Sequence, residues 1–271
     1  MALPPYIMES KDEIKRLEAK TRGDIVVQQA RWAGLKPGHK VVDIGCGPGK
    51  TTSHLYKVVQ PGGTAVGVDT SSERIQYARE HYKGARIKFV QDDFSKPLEG
   101  LGQFDFIWVR FVLEYFRASS FDIVKNLTRI LKPGGILCLI DIDHNCMNYY
   151  GLPPRLDKTI RGVMEKVERE DNFDPYVGRK LYSYLYDLNF TDIDVNLSAH
   201  HLIYGPLDDI SAFNWRTKVD VGVQQSGYRF EDDYPGGYDE FYEEFDAAFK
   251  DERRFIYTPL ISCRGKKPDK V

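Results

Sequence analysis

The run Val41-Val42-Asp43-Ile44-Gly45-Cys46-Gly47-Pro48-Gly49-Lys50 joins an acid, three glycines at alternate positions and a lysine. Two β-branched residues lead in, and Thr51 to Val59 reads as a helix, so the run is a strand, a tight turn and a helix start. Such a turn brings bare backbone close to a ligand at a helix N-terminus. Spacing limits the choice of ligand. A dinucleotide turn places its third glycine three residues after the second, whereas Gly49 follows Gly47 by two. A P-loop ends in Gly-Lys-Thr, as Gly49-Lys50-Thr51 does, but its first glycine would fall on Ile44. On that reading Asp141, at the end of a later strand, would imitate the magnesium-binding acid.

Further chemistry stands at the ends of later apolar runs. Asp69 closes Thr64 to Asp69, where a carboxylate can accept from a ribose diol or cap the next helix, a role open equally to Thr70-Ser71-Ser72. Gln91-Asp92-Asp93-Phe94 holds two adjacent acids, either ligand-binding or solvated. Val109, Arg110 and Phe111 end a fourth run, and Arg110 either meets a carboxylate or lies at the surface. Glu114 and Tyr115 follow as possible acceptor-site residues. Asp141, Asp143 and His144 end a fifth run. A histidine here could take a proton from a hydroxyl or amine with an aspartate fixing its tautomer, or simply cap the strand. His200 and His201 fall in a strand where alternation sends one outward. Tyr149, Tyr150, Tyr176, Tyr182 and Trp215 could wall a pocket or pack a core. The cysteines show no metal spacing, so no metal site is expected, and Cys46 reads as a small buried residue.

These residues need a scaffold that gathers strand ends. Residues 9 to 34 read as one or two helices, with Glu13, Arg16 and Lys20 on one face and Ile14, Leu17, Ile25, Val26 and Ala30 apolar. Short apolar strands then alternate with helices: strands at 40–43, 64–69, 86–90, 104–109 and 136–141, with Lys132-Pro133-Gly134-Gly135 a turn before the last. That pattern indicates a parallel sheet covered on both faces, with ligands at the strand C-termini. After Asp143 the composition shifts to tyrosine, proline and charge, with late strands at 192–204 and 254–263.

Taken together, an acid two residues before Gly-x-Gly-x-Gly, Asp69, Asp93-Phe94, and the turns Gly102 to Asp105 and Leu131 to Gly135 resemble class I S-adenosylmethionine-dependent methyltransferases over roughly residues 38 to 145. The likeness is closest to the small-molecule branch that includes the ubiquinone and menaquinone biosynthesis methyltransferases. It implies a Rossmann-like α/β fold: a seven-stranded, mostly parallel sheet with helices on both faces, an antiparallel strand at one edge and a helical lid. One domain would span residues 1–271, with lid and acceptor insertions at about 145–180 and 205–250. The cofactor would be S-adenosylmethionine, leaving as S-adenosylhomocysteine. Asp43, Gly45, Cys46, Gly47 and Gly49 would seat its amino-acid end. Asp69 and Thr70 would meet the ribose, and Asp93 and Phe94 the adenine, with Asp92 as competitor. Val109 and Arg110 would lie near the methionine end, and Tyr6 would fold over the cofactor. His144 and Asp143 would be the catalytic pair.

Composition narrows the partners. The net charge of −2 offers no broad basic field, which argues against nucleic acid. No apolar run reaches the ~20 residues a membrane helix needs, and no signal-peptide core is seen, so a cytoplasmic location is expected. The expected reaction is methyl transfer to an oxygen or nitrogen of a small molecule, with a carbon acceptor of quinone type next. Oligomeric state is left open.

Overall fold

The computed structural model describes residues 8, 12–145, 147–224 and 226–269. Its strands are β1 (Lys40–Ile44), β2 (Thr64–Asp69), β3 (Ile87–Gln91), β4 (Phe104–Arg110), β5 (Leu131–Ile142), β6 (Tyr149–Tyr150), β7 (Thr191–Tyr204) and β8 (Phe255–Lys266). The helices are α1 (Glu13–Lys20), α2 (Gly23–Trp32), α3 (Lys50–Val58), α4 (Ser72–His81), α5 (Ser120–Leu127), α6 (Pro154–Glu170), α7 (Leu181–Asp187), α8 (Asp209–Thr217) and α9 (Gly237–Lys250). A wide-turned π-helical segment, Lys218–Val223, continues α8.

The sheet runs β3-β2-β1-β4-β5-β8, with β7 on the far side of β8 and the two-residue β6 also on β8. β1 to β5 pair in parallel, while β8 is antiparallel to both β5 and β7. The antiparallel strand is therefore inside the sheet, not at its edge as the sequence reading has it. The short β6 makes an eighth strand. A second correction concerns Leu131 to Gly135. The expected turn is absorbed into β5, because Leu131 pairs with Phe104 while Gly134 N–H donates to Lys267 O and Lys267 N–H to Gly135 O. A distant strand supplied the partners that a local turn would have lacked.

Alternation along β1 sends its side chains to two cores. Val41 packs with Val26, Ala30, Leu55, Phe106 and Trp108 beneath α2 and α3. Val42 and Ile44 pack with Ile107, Ile123, Val124 and Leu181 beneath α5 and α7. Burial on both faces explains the unbroken apolar strands. The second half builds its own core from α6, α8 and α9: Leu156, Val163, Trp215, Phe241, Phe245 and Phe249 form one buried cluster. The α9 rings stack along the helix, Phe245 on Phe249 at 5.6 Å between centroids. No described helix is long and apolar enough to cross a membrane.

Candidate active site

The C-terminal ends of β1, β2 and β4 open onto a cavity of about 530 Å³. Its floor is the glycine turn. Gly45, at φ +70°, allows close approach, since a Cβ there would collide with Val112. Gly49, at φ +95°, sits where a Cβ would stand 2.8 Å from Ala78 Cβ and Phe89 Cε1, so α3 can begin only if this residue is glycine. Gly45 and Cys46 N–H groups both donate to Val68 O, at 2.8 and 2.9 Å, which ties the turn to the end of β2.

Asp69 is the second anchor. Its Oδ2 accepts from Gly47 N–H at 2.8 Å, and its Oδ1 accepts from Ser71 N–H at 2.9 Å and Arg74 Nε at 3.3 Å. One carboxylate thus fixes the turn, the α4 entry and a buried guanidinium, while Oδ2 keeps lone-pair capacity toward the cavity. Ser71, and not Asp69, caps α4, accepting from Arg74 N–H at 3.3 Å.

Arg110 forms another wall. It is half-buried, lies 4.2 Å from the Phe111 ring centroid, and its buried Nε has no hydrogen-bond partner among the described residues. Burial lowers its pKa to about 10 against the pull of Asp43 and Asp141. Asp43 lies behind the turn, 2% exposed, accepting from Thr52 Oγ1 at 2.6 Å. Burial pushes its carboxyl up to about 7. Burial likewise raises Asp141, which accepts from Leu113 and Glu114 N–H at 3.0 and 3.3 Å and so pins the loop after β4. Desolvation also raises Glu114, which accepts from Asn145 Nδ2 at 3.0 Å.

The structure gathers some expected residues and separates others. Gly45, Cys46, Gly47, Asp69, Thr70, Phe94 and Arg110 line the cavity. Asp43, Gly49 and Val109 are not in its lining and act from behind as supports. Asp93 turns aside: its Oδ1 accepts from Ser95 N–H and Oγ at 3.1 and 2.6 Å, and its Oδ2 meets Lys96 Nζ at 2.8 Å. His144 and Asp143 are neither at the cavity nor paired with one another. Asp143 holds Arg179 in a fork at 2.8 and 3.0 Å, and His144, at φ +51°, lies edge-on to Tyr176 at 5.2 Å. Tyr6 lies outside the described residues. Lys50 also lines the cavity, and its Nζ donates to the Glu18 carbonyl. Among the described residues no cluster of His, Cys, Asp or Glu could hold a metal ion.

Sequence reasoning did not single out Gln91, Phe116, Arg74 or Lys20, all of which line the cavity. Their only signal was position: Gln91 ends β3, Phe116 follows the turn after β4, Arg74 lies in the first turn of α4 and Lys20 ends α1. A second cavity, about 100 Å³ and mostly apolar, lies under the lid between α6, the π-helical segment and α9. Val163, Phe173, Trp215, Val219, Phe241 and Phe245 wall it, and Tyr115 belongs to both cavities. Lys218 and Asn145 bring polar groups to its rim.

Comparison with known proteins agrees with this geometry. Residues 41–135 match the family model described as a methyltransferase domain. An uncharacterized methyltransferase of Synechocystis sp. is 35% identical over 121 residues, 44% of this chain and 54% of that protein. The ubiquinone/menaquinone biosynthesis C-methyltransferase of Ectopseudomonas mendocina is 30% identical over 113 residues, 40% of this chain and 44% of its own. The chain thus matches about half the length of these curated relatives. A phosphoethanolamine N-methyltransferase of Haemonchus contortus, solved with S-adenosyl-L-methionine, superposes with a TM-score of 0.56 at 17% identity, over 96% of this chain and 57% of that one. That likeness concerns the fold.

The cavity fits the cofactor this domain implies. Arg110 Nε is an orphaned buried donor suited to a carboxylate, and the floor is a cradle that a Cβ would fill. Asp69 retains acceptor capacity for a ribose hydroxyl.

Proposed function

We propose that the core of this chain, which matches a methyltransferase domain over residues 41–135, is a class I S-adenosylmethionine-dependent methyltransferase and that it transfers the methyl group to an oxygen or nitrogen of a small acceptor held beneath its lid. The observation that carries this reading is the meeting of two unlike cavities at Tyr115. One is half polar and floored by bare backbone; the other is apolar and walled by rings.

When bound, S-adenosylmethionine supplies an electrophilic methyl carbon on sulfonium. The chain's task is then to hold, align and dry the site. Gly45 to Gly47 would cradle the amino-acid end, Arg110 its carboxylate and Asp69 the ribose. Phe94 would lie by the adenine. The aromatic faces of Tyr115 and Phe116 would tolerate a neighbouring cation without reacting. The lid cluster would exclude water, and Lys218 and Asn145 at the rim would orient the acceptor's polar atom. For a hydroxyl acceptor the proton must also leave. His144, the residue expected for that step, would have to approach from its place against Tyr176.

Calorimetric titration with S-adenosylmethionine, S-adenosylhomocysteine, NAD and ATP tests the cofactor. Heat with the first two alone is expected; heat only with ATP would replace this reading by the P-loop one. Turnover with a ¹³C-methyl-labelled cofactor, read by NMR, would separate oxygen, nitrogen and carbon acceptors.

A further inference from the structure

Strands β7 and β8 send their polar side chains toward the helices and their apolar ones outward. Asn196, Ser198, His200 and Ser262 line a hollow beneath α2 and α8. The register sets Asn196 against Ser262 and His200 against Thr258, so these polar groups share one face. The alternate positions make the other face: Val195, Leu197 and Ala199 on β7, with Tyr257, Pro259 and Ile261 on β8. Past the register shift after His200, Tyr204 pairs with Phe255 and stacks on it at 6.3 Å, and Tyr150 of β6 pairs with Phe255 from the other side. This second face is open: Leu197 is 67% exposed, Tyr204 63% and Tyr150 76%. An antiparallel sheet with one wet face keeps its apolar side covered, so this arrangement calls for a cover.

The helix on that side, α7, covers only one end of the face, where Leu181 and Leu185 pack with Cys263 and reach Ile261. Tyr184 of α7 turns to α5, its hydroxyl 2.7 Å from Ser120 Oγ and its ring edge-on to Phe121. Tyr182 and Tyr186 stand on the opposite flank of the helix, toward β7, and both are exposed. Among the described residues eleven large apolar side chains are exposed, all between residues 150 and 257, and eight of them belong to this surface. At about 200 Å² for a whole aromatic side chain, those eight expose on the order of 800 Å². The largest apolar patch of a typical monomer is roughly 300–600 Å², whereas about 800 Å² is what each partner brings to a stable interface.

Charge and shape select the occupant. No charged side chain interrupts these strand positions, so the face can meet its own copy without opposing like charges, as a two-fold interface requires. It is built from three hydrogen-bonded strands and not from a groove, which suits a second sheet and not a helix. We infer that two copies of this chain associate through this face, sheet on sheet about a two-fold axis. The inference does not rest on methyl transfer, since none of the eight side chains lines the cavity at the strand ends or the one beneath the lid.

Sedimentation velocity of the full chain tests it. A dimer is expected, with Kd below about 10 µM. Leu197→Asp places like charges in both halves of the interface, and Tyr204→Glu charges the ring stack. Each should weaken the dimer at least about 100-fold and melt as wild type, because both positions are exposed in the single chain. Lys88→Glu, on β3 at the opposite edge of the sheet, should leave the dimer intact. Hydroxyl-radical footprinting of the wild type needs no variant: Tyr150, Tyr204 and Tyr257 should lose reactivity as the protein is concentrated from monomer to dimer. A chain still monomeric at about 100 µM, a dimer that both face variants retain, or tyrosines equally reactive in monomer and dimer overturns the inference. A monomer that sediments with phosphatidylcholine vesicles also overturns it and gives the face to a lipid surface.

Discussion

The cavity at the strand ends and the cavity under the lid meet at one tyrosine, yet they are built by different means. The first is made mostly of backbone. Its shape depends on positive φ at Gly45, Gly47 and Gly49, on N–H groups held by Val68 O, and on one carboxylate, Asp69, that bonds to turn, helix and guanidinium together. The second is made of side chains from helices far apart in the chain: Val163 on α6, Trp215 on α8, Phe245 on α9. Backbone-built sites have few solutions and are intolerant of change. Apolar side-chain cavities can repack, and so can differ among proteins that share a core. The family model matches only residues 41–135, within the backbone-built core, as this contrast leads one to expect.

The sharpest way to break the contrast is Gly45→Val. A β-branched residue at φ +70° that also strikes Val112 should abolish cofactor binding, a loss of at least about 100-fold by calorimetry. Binding within about tenfold of wild type would mean that the turn is softer than its geometry implies.

Asp43 gives the next largest effect, on stability. Burial raises its carboxyl to about 7 from an unfolded value near ~3.9, so the fold favours the neutral acid. Ionisation therefore destabilises: the cost is absent below about pH 4, grows through pH 7 and levels off above. At roughly 1.4 kcal/mol per unit it reaches on the order of 4 kcal/mol. The substitution Asp43→Asn removes this slope while keeping an acceptor for Thr52. Chemical denaturation should show that variant gaining on wild type between pH 5 and pH 8, and parallel stability curves would refute the assignment.

Asp69→Ala should weaken S-adenosylmethionine binding by about 1–3 kcal/mol, since Gly47 N–H and Arg74 lose their acceptor along with any ribose contact. The smallest effect on the cofactor belongs to the lid. Phe245→Leu should leave cofactor affinity within about twofold, and weaken the use of an acceptor by about 10-fold or more through the lost packing. If both affinities moved together, the two cavities would be one site.

Legibility followed the same division. The turn, Asp69 and the strand ends could be read because each is a local constraint: a glycine where φ must be positive, an acid where a parallel strand stops. The fate of the charged face of α1 was not legible. Glu13, Arg16 and Lys20 share that face, yet Glu13 and Arg16 are each 1% exposed. Arg16 Nε donates to Glu13 at 2.7 Å and its Nη1 to Asn214 at 3.0 Å, across 198 residues of sequence. No local pattern announces such a partner. His144 misled in the same way: it stands just past β5, but Asp143 is claimed by Arg179 from the segment before α7. The alternation expected at His200 and His201 fails because the β7–β8 register shifts between His200 and Ile203, with His201 at φ +52°, and brings both rings to one hollow.

The sequence by itself determined the strand–turn–helix that floors the larger cavity and the parallel strands around it, because backbone sterics and hydrophobic alternation act over a few residues. Which charges are buried, where β8 enters the sheet, and what lies beneath the lid were decided only by the tertiary structure. Those outcomes depend on partners that sequence distance hides, and on desolvation that no single segment can impose alone.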